Sequence, residues 1–170
     1  MDNFGDRLAE ANRQTQTPLC MGIDPHVKMI PALFGNAAAE AGSDEALTAI
    51  ANFCDACVKA ATGRVPAIKP QAAFFEMQGP KGMQILQDLG HAAIDAGLLV
   101  IMDAKRGDIG STSSAYASAW IGHDALFPSD ALTINPWLGI DTLEPFIDRA
   151  DATNSGLFIL NRTSNPGAGD

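Results

Sequence analysis

Five short apolar runs, separated by longer stretches of helical periodicity, constrain the fold of this chain more than any other feature of its sequence. The runs are residues 19–23, 65–68, 98–102, 131–134 and 157–160. Runs of this length suit buried strands, whereas the stretches between them repeat their apolar residues as amphipathic helices do. Such alternation is typical of βα units around a parallel sheet. We therefore predict an α/β fold in a single domain over residues 1–170.

Helix termini are also predictable at several points along the chain. Ser43, followed by two acidic residues, is a predicted N-cap at the start of the first helix after strand one. Another helix is predicted to begin near Pro80, and residues 110–122 have the small side chains of a third. A fourth is predicted to begin near Asp141, where Glu144 would complete a capping box.

Charge and hydropathy argue against several classes of function. The formal net charge is −9, so sequence-independent binding to nucleic acid or to an anionic membrane surface is not expected. No apolar run approaches the roughly 20 residues of a membrane-spanning helix, and the N-terminal residues do not resemble a secretion signal. We therefore expect a cytoplasmic protein with no nucleic-acid or membrane partner, in which local cations hold any anionic substrate.

The three cysteines are few and odd in number, which is typical of reduced thiols in a reducing compartment. Cys54 and Cys57 form a Cys-x-x-Cys pair, but no second pair of ligands follows it. Both lie on the apolar stripe of a predicted helix, so core packing is the favoured interpretation and metal or redox chemistry is the alternative. No metal site is predicted.

Polar or charged residues stand at the end of every predicted strand. They are Asp24, Lys69, Asp103, Lys105, Asn135 and residues 161–164. Five βα units alone fit either an open doubly wound sheet or part of a (β/α)8 barrel. Neither of the usual glycine-rich nucleotide loops occurs in the sequence, whereas polar strand ends suit a barrel, whose active site lies at the carboxyl ends of its strands. The barrel is therefore the favoured architecture.

Asp103 and Lys105 are the strongest candidates for chemistry. They are two residues apart at a strand end, so their side chains fall on the same face. Lys69 from the neighbouring strand would join them, and Asp108 is near enough in sequence to join them or to reach a neighbouring subunit. Two ammonium groups interleaved with two carboxylates can stay ionised away from water, because each charge has opposite neighbours. The alternative is that all four are ordinary solvated charges at loop starts.

The same residues lie in a recognisable pattern. The segment from Leu99 to Thr112 resembles the Asp-x-Lys-x-x-Asp signature of orotidine 5'-phosphate decarboxylases, in the longer bacterial branch of that family. Four further blocks agree with the family in order and spacing. These blocks are Gly22–His26, Ile68–Gln71 with Phe74–Glu76, Asn135–Gly139 and Thr163–Gly167. The resemblance covers nearly the whole chain.

This resemblance implies both a fold and a reaction. The family fold is a (β/α)8 TIM barrel, of which about five of the eight βα units would be present here, as an incomplete barrel. The family's enzymes are carboxy-lyases of pyrimidine biosynthesis. They convert orotidine 5'-phosphate to uridine 5'-phosphate through a C6 carbanion, with no metal and no cofactor. The implied partners are therefore this substrate, its product and a second subunit in a homodimer.

The signature implies a role for each charged residue of the cluster. Lys105 matches the catalytic lysine that stabilises the C6 carbanion and delivers a proton to it. Asp103 matches the carboxylate placed near the departing carboxyl group, and Lys69 matches the lysine that orients the array and contacts ribose. Asp108 matches a catalytic aspartate that is supplied to the neighbouring site across the dimer interface.

The resemblance also implies a set of substrate-binding residues. Asp24 matches an acceptor for a ribose hydroxyl, and Ser164 matches a pyrimidine contact. Pro166 belongs to the same substrate-binding block as Ser164. Ile109 and Thr112 accompany the interface aspartate, and Thr112 would reach the neighbouring site with it. The family's phosphate-binding residues lie in the part of the barrel that these 170 residues do not include, so we expect the chain alone to be a poor enzyme.

Two other functions stay open at this point. Magnesium-dependent sugar-phosphate decarboxylases and aldolases of the same superfamily share the signature, but they carry a carboxylate where this chain has Lys69. The second alternative, from a different class, is a truncated and inactive nucleotide-binding or interaction module. Chelation of magnesium tests the first alternative, and nucleotide binding without turnover would support the second.

Overall fold

One parallel sheet of five strands forms the centre of the computed structural model, which describes residues 2–169. The strands are β1 (Cys20–Ile23), β2 (Ala67–Pro70), β3 (Leu99–Arg106), β4 (Ala131–Ile134) and β5 (Gly156–Ile159). They lie in chain order, and each pairs in parallel with the next. Each predicted run thus forms a strand, and the predicted α/β fold is confirmed. Because the strands are parallel, their carboxyl ends all lie at one edge of the sheet.

Helices follow or precede every strand in this part of the chain. They are α1 (Phe4–Thr15), α2 (Asp44–Ala61), α3 (Ala73–Glu76), α4 (Gly79–Asp95), α5 (Gly110–Trp120) and α6 (Glu144–Thr153). Short 3-10 helices cover Ala32–Phe34, Ile140–Thr142 and Pro166–Gly169. No helix within residues 2–169 is both long enough and apolar enough to cross a membrane.

The predicted start is correct for helix α2 and wrong for helix α6. Ser43 caps α2 as predicted, because its side chain accepts a hydrogen bond from the backbone N–H of Ala46 at 3.3 Å. The prediction for α6 was wrong: the helix begins at Glu144, and no capping box forms with Asp141. The preceding residues take up a separate 3-10 turn, which moves the helix start beyond the reach of that side chain.

Helix α1 was not predicted from the sequence. Its apolar residues do recur with helical periodicity, but the helix is polar on average and Phe4 is its single buried side chain, so it has no wide apolar face. The helix begins after Asn3, whose side chain accepts from the backbone N–H of Asp6 at 3.0 Å. Phe4 packs against Phe158 of β5, with ring centroids 6.0 Å apart. This tertiary contact holds α1 against the sheet.

The hydrophobic core lies between the sheet and the helices. Its largest fully buried side chains include Phe75, Phe146, Ile50, Ile68, Leu86 and Met102. Removal of this apolar surface from water is the main driving force for the fold, at about 25 cal/mol per Å². Cys54 is buried in the same core, and burial raises the pKa of its thiol to about 12. The core-packing interpretation of this cysteine therefore agrees with its position.

A buried carboxylate stabilises the opposite edge of the sheet, at the amino ends of the strands. Asp130 is 1% exposed and accepts from the backbone N–H of Val100 at 2.8 Å. It also forms an ion pair with Arg7 and lies 2.9 Å from Nε2 of His123. Arg7 in turn donates to the backbone carbonyl of Asn154 at 3.2 Å. This network joins α1 to the middle of the sheet, on the side away from the candidate site.

Candidate active site

The ends of β2 and β3 bring three of the predicted catalytic residues together. Nζ of Lys69 lies 2.8 Å from Oδ2 of Asp103, and Nζ of Lys105 forms an ion pair with Oδ1 of the same carboxylate. Asp103 and Lys105 are two residues apart at the end of β3, where their side chains meet. Lys69 reaches them because the strands are neighbours in a parallel sheet.

Burial of these side chains is unequal, and the difference matters for chemistry. The Asp103 side chain is only 9% exposed, whereas those of Lys69 and Lys105 are 36% and 43% exposed. Each ammonium group therefore has one side against a buried carboxylate and another side open to the space above the strand ends. Two cations and one carboxylate leave the three side chains with one net positive charge, which suits an anionic substrate.

The electrostatic environment keeps Asp103 ionised. Burial acts to raise the pKa of this carboxyl, but hydrogen bonds from Lys105 and Lys69, together with their charges, outweigh burial. The pKa of Asp103 is therefore lowered from its ordinary value. A carboxylate that stays charged at neutral pH can hold both ammonium groups in fixed positions.

Two neutral side chains also donate to Asp103, and the sequence analysis assigned a role to neither. Nε2 of Gln71 donates to Oδ2 at 3.1 Å, and Oγ1 of Thr133 lies 3.1 Å from Oδ1. Each carboxylate oxygen thus has one ammonium and one neutral donor. The sequence position of each residue could have identified it as a candidate site residue. Gln71 follows Lys69 by two positions and so shares its face, and Thr133 is the one polar residue in the apolar run 131–134.

The structure does not bring Asp108, the fourth predicted catalytic residue, into the cluster. Its Oδ1 accepts from the backbone N–H of Ile109 at 2.8 Å, at the start of α5. Within residues 2–169 it forms no ion pair with Lys105 or with Lys69. Asp108 therefore lies outside the cluster of its own chain in residues 2–169, and its role at a neighbouring subunit stays a prediction.

The five predicted substrate-binding residues outside the cluster lie at the same edge of the sheet. Asp24 directly follows β1, and Ser164 and Pro166 follow β5. Ile109 and Thr112 lie at the N-terminus of α5, just after β3. All five are exposed. Their position agrees with the barrel edge at which active sites are built, and their individual roles stay predictions.

Arg106 fixes the end of β3 against the helices. Its guanidinium forms an ion pair with Glu76 of α3, and its central carbon lies 4.8 Å from the centre of the Trp120 ring in α5. A guanidinium over an aromatic face is attracted by the ring's quadrupole. Because Arg106 follows Lys105 directly, this contact restrains the backbone that carries the candidate catalytic lysine.

The side chains of the cluster are poor ligands for a divalent cation. Both oxygens of Asp103 already accept from an ammonium group, so a metal bound there would face two positive charges. In the part of the chain that the structure describes, no three His, Cys, Asp or Glu side chains are grouped so that they could hold a metal ion. The arrangement is better suited to stabilising negative charge on a bound molecule.

Known proteins with similar sequences belong to one family. The family model described as Orotidine 5'-phosphate decarboxylase / HUMPS family matches residues 17–170. The chain is 43% identical to an orotidine 5'-phosphate decarboxylase of Rhodopirellula baltica, over 99% of the chain and 57% of that relative. It is 44% identical to one from Streptomyces coelicolor, over 100% of the chain and 58% of that relative. The chain therefore spans a little over half the length of these relatives.

Solved structures resemble the fold over the same portion. A Streptomyces avermitilis crystal structure, provisionally assigned to orotidine 5'-phosphate decarboxylase, matches with a TM-score of 0.87 and 41% identity. That match covers 99% of this chain and 56% of the other. The Leishmania donovani OMP decarboxylase matches with a TM-score of 0.73 and 33% identity, over 98% of this chain and 56% of that one. The fold is thus part of a TIM barrel, and the chain belongs to the Orotidine 5'-phosphate decarboxylase / HUMPS family.

Proposed function

We propose that this chain supplies the catalytic lysine array of an orotidine 5'-phosphate decarboxylase, which forms uridine 5'-phosphate and CO2. The observation that carries the proposal is the contact of Lys69 and Lys105 with opposite oxygens of Asp103, with both ammonium groups half exposed at the strand ends. The names of the relatives, whose matched portion includes these residues, support the same activity.

The proposed reaction balances without any further reactant except water. The bond between C6 of the pyrimidine and its carboxylate carbon breaks, CO2 leaves, and the electron pair stays on C6. Lys105 then gives a proton to C6, which forms the product, and the resulting amine regains a proton from solvent. Its ammonium favours the transition state because negative charge moves towards C6 as the carboxylate departs. Stabilisation of this kind raises turnover more than it raises substrate affinity.

We assign the other residues the roles that the family resemblance implies, which their positions support. Asp103 holds the ammonium group of Lys105 in position, and its own negative charge lies close to the departing carboxylate. Lys69 fixes the second oxygen of Asp103 and is exposed enough to contact ribose. Asp24 and Ser164 serve as contacts to ribose and pyrimidine from the ends of β1 and β5.

Further parts of the proposal concern assembly and location. Two copies form a homodimer, in which Asp108 and Thr112 reach the neighbouring site. This arrangement accounts for an aspartate that lies at the right edge of the sheet but outside its own chain's cluster. The reaction needs no metal or organic cofactor, and the protein acts in the cytoplasm.

The magnesium-dependent alternative is less well supported by the same geometry. Enzymes of that type need a carboxylate where this chain has Lys69, and here the lysine forms an ion pair with Asp103 instead. The second alternative, a nucleotide-binding module without activity, gives no reason for two ammonium groups to be held on one buried carboxylate. Burying a carboxylate is costly unless it is paired, so such an array is usually associated with function.

An assay of CO2 release from orotidine 5'-phosphate tests the proposal. We suggest measuring both the chain itself and a chimera in which it continues into the C-terminal portion of the Streptomyces coelicolor relative, beyond the matched region. The proposal predicts turnover by the chimera that is unchanged by EDTA. Loss of turnover with EDTA would favour the magnesium-dependent alternative. Uridine 5'-phosphate binding without any turnover by the folded chimera would favour the inactive module.

A further inference from the structure

The pairing of β3 with β4 is interrupted at the position of the candidate catalytic lysine. Met102 pairs with Leu132, but the next pair joins Arg106 to Ile134, so four steps along β3 match two steps along β4. The additional residues of β3 form a bulge that contains Asp103 and Lys105. Bulges bend a strand and change the direction of its side chains, and they are common beside active sites.

The backbone of Lys105 has an unusual conformation in this bulge. Its φ angle is +48°, in the left-handed region, which non-glycine residues seldom occupy. A residue persists in such a conformation only when its surroundings hold it there. The backbone N–H of Lys105 donates to Oγ1 of Thr133 at 2.9 Å. Thr133 lies between Leu132 and Ile134, directly opposite the bulge, so its side chain holds the strand where regular pairing fails.

The same hydroxyl also contacts the carboxylate that pairs with Lys105. Oγ1 of Thr133 lies 3.1 Å from Oδ1 of Asp103, the oxygen that forms the ion pair with the lysine ammonium. A hydroxyl has one hydrogen to donate and two lone pairs that accept. It can therefore accept from Lys105 N–H and donate to Asp103 at the same time. The backbone carbonyl of Met102 is a more distant acceptor, at 3.5 Å.

We propose that Thr133 is a positioning residue, whose hydroxyl fixes the backbone of Lys105 and the carboxylate of Asp103 in one arrangement and so aims the lysine ammonium. The effect on turnover rests on the proposed function of Lys105, whereas the effect on the backbone does not. Thr133 need not touch the substrate, because it acts through the two residues that do.

The shape of the Thr133 side chain is not enough to explain why threonine occupies this position. Threonine suits a strand because it is β-branched, but valine has the same shape and the same preference. Valine cannot accept from Lys105 N–H or donate to Asp103. Serine retains the hydroxyl and loses only a methyl group. The pair Thr133→Val and Thr133→Ser therefore separates the role of the hydroxyl from that of the shape.

Two measurements test the inference. Hydrogen–deuterium exchange of the Lys105 amide reports the backbone contact in the chain itself. Steady-state kinetics of the chimera, with orotidine 5'-phosphate as substrate, report the aim of the lysine. A matched control is Thr153→Val, which removes a hydroxyl that bonds to the carbonyl of Arg149 at 2.8 Å, far from the cluster. Lys105→Ala in the same chimera tests the proposed function separately.

We expect Thr133→Val to accelerate exchange at Lys105 and to lower kcat by about tenfold or more, with KM within about twofold, because a hydrogen bond to a charged group is lost. Thr133→Ser should restore both quantities, and Thr153→Val should change neither. Unchanged exchange at Lys105 in Thr133→Val would overturn the inference. So would an unchanged kcat in Thr133→Val when Lys105→Ala is inactive. If Lys105→Ala stays active, the proposed function fails, and the exchange result still decides the backbone role.

Discussion

Replacement of Asp130 by asparagine should destabilise the fold without touching the candidate active site. Asparagine keeps the shape of the side chain, and its oxygen can still accept from the buried N–H of Val100. Its amide group, however, replaces the charged oxygen that faces Arg7 and His123. Two groups that met a carboxylate would then meet a neutral amide that has hydrogens of its own.

The size of this effect follows from burial. Removing one partner of a buried ion pair costs about 3–5 kcal/mol, and the lower end applies because the Arg7 side chain is 29% exposed. For a domain of this size each kcal/mol lowers the melting temperature by about 2–4 °C. We therefore expect Asp130→Asn to cost about 3 kcal/mol and to melt roughly 6–12 °C below the parent.

Thermal melting followed by far-UV circular dichroism measures this prediction. The matched control is Asp124→Asn, which makes the same chemical change in a carboxylate that pairs with Arg149 at 2.6 Å but is 70% exposed. Water screens that pair, so its removal should leave the melting temperature nearly unchanged. Equal melting temperatures for Asp130→Asn and the parent would refute the argument that burial makes this network important. Equal losses in both variants would refute it as well.

Three further predictions concern the cluster and the packing behind it. Gln71→Met removes one neutral donor to Asp103 and should lower kcat of the chimera roughly threefold to tenfold with little change in KM; an unchanged kcat would count against that donor. The pKa of Asp103 is lowered in the folded state, so its ion pairs contribute stability above the ordinary value of 3.8, and this contribution is lost as pH falls through the lower folded value. Urea unfolding at several pH values should therefore show a steeper loss of stability below pH 3.8 in the parent than in Asp103→Asn, and equal slopes would contradict the assigned ion pairs. Gly82→Ala would place a methyl group in steric overlap with the backbone oxygen of Phe75, so it should cost about 1–3 kcal/mol in urea unfolding; a neutral effect would show that α3 and α4 can separate at no cost.

The sheet could be predicted from the sequence because each strand coincides with a short apolar run, although only β2, β3 and β4 are largely buried and β1 and β5 are partly exposed. A strand that is covered on both faces reads as a short apolar run, and each of the five runs is flanked by turn residues or by helical periodicity. Helix α1 has no apolar run of this kind, since it is polar on average and Phe4 is its one buried residue. Its position depends on contacts with β5 and Asp130, which are distant in sequence and which no local pattern reports.

The candidate site was predictable only in part, because some of its contacts also join residues that are distant in sequence. Lys69, Asp103 and Lys105 follow from side-chain alternation at the ends of neighbouring strands. Thr133 does not, because its contact depends on the bulge in β3, which shifts the register by two residues and could not be read from apolar periodicity. Asp108 is close in sequence to the cluster but turns towards the start of α5, where its side chain accepts a hydrogen bond from the backbone N–H of Ile109.

The central claim is that the ammonium of Lys105 stabilises negative charge that develops on a bound pyrimidine. The most direct test compares the chimera with its Lys105→Ala variant, by measuring kcat for CO2 release and the Kd for uridine 5'-phosphate in the same preparation. We predict that kcat falls by more than about a thousandfold while Kd changes by less than about tenfold, because the lost interaction belongs to the transition state. A kcat within about tenfold of the parent, in a variant that is folded and binds nucleotide, would contradict the claim.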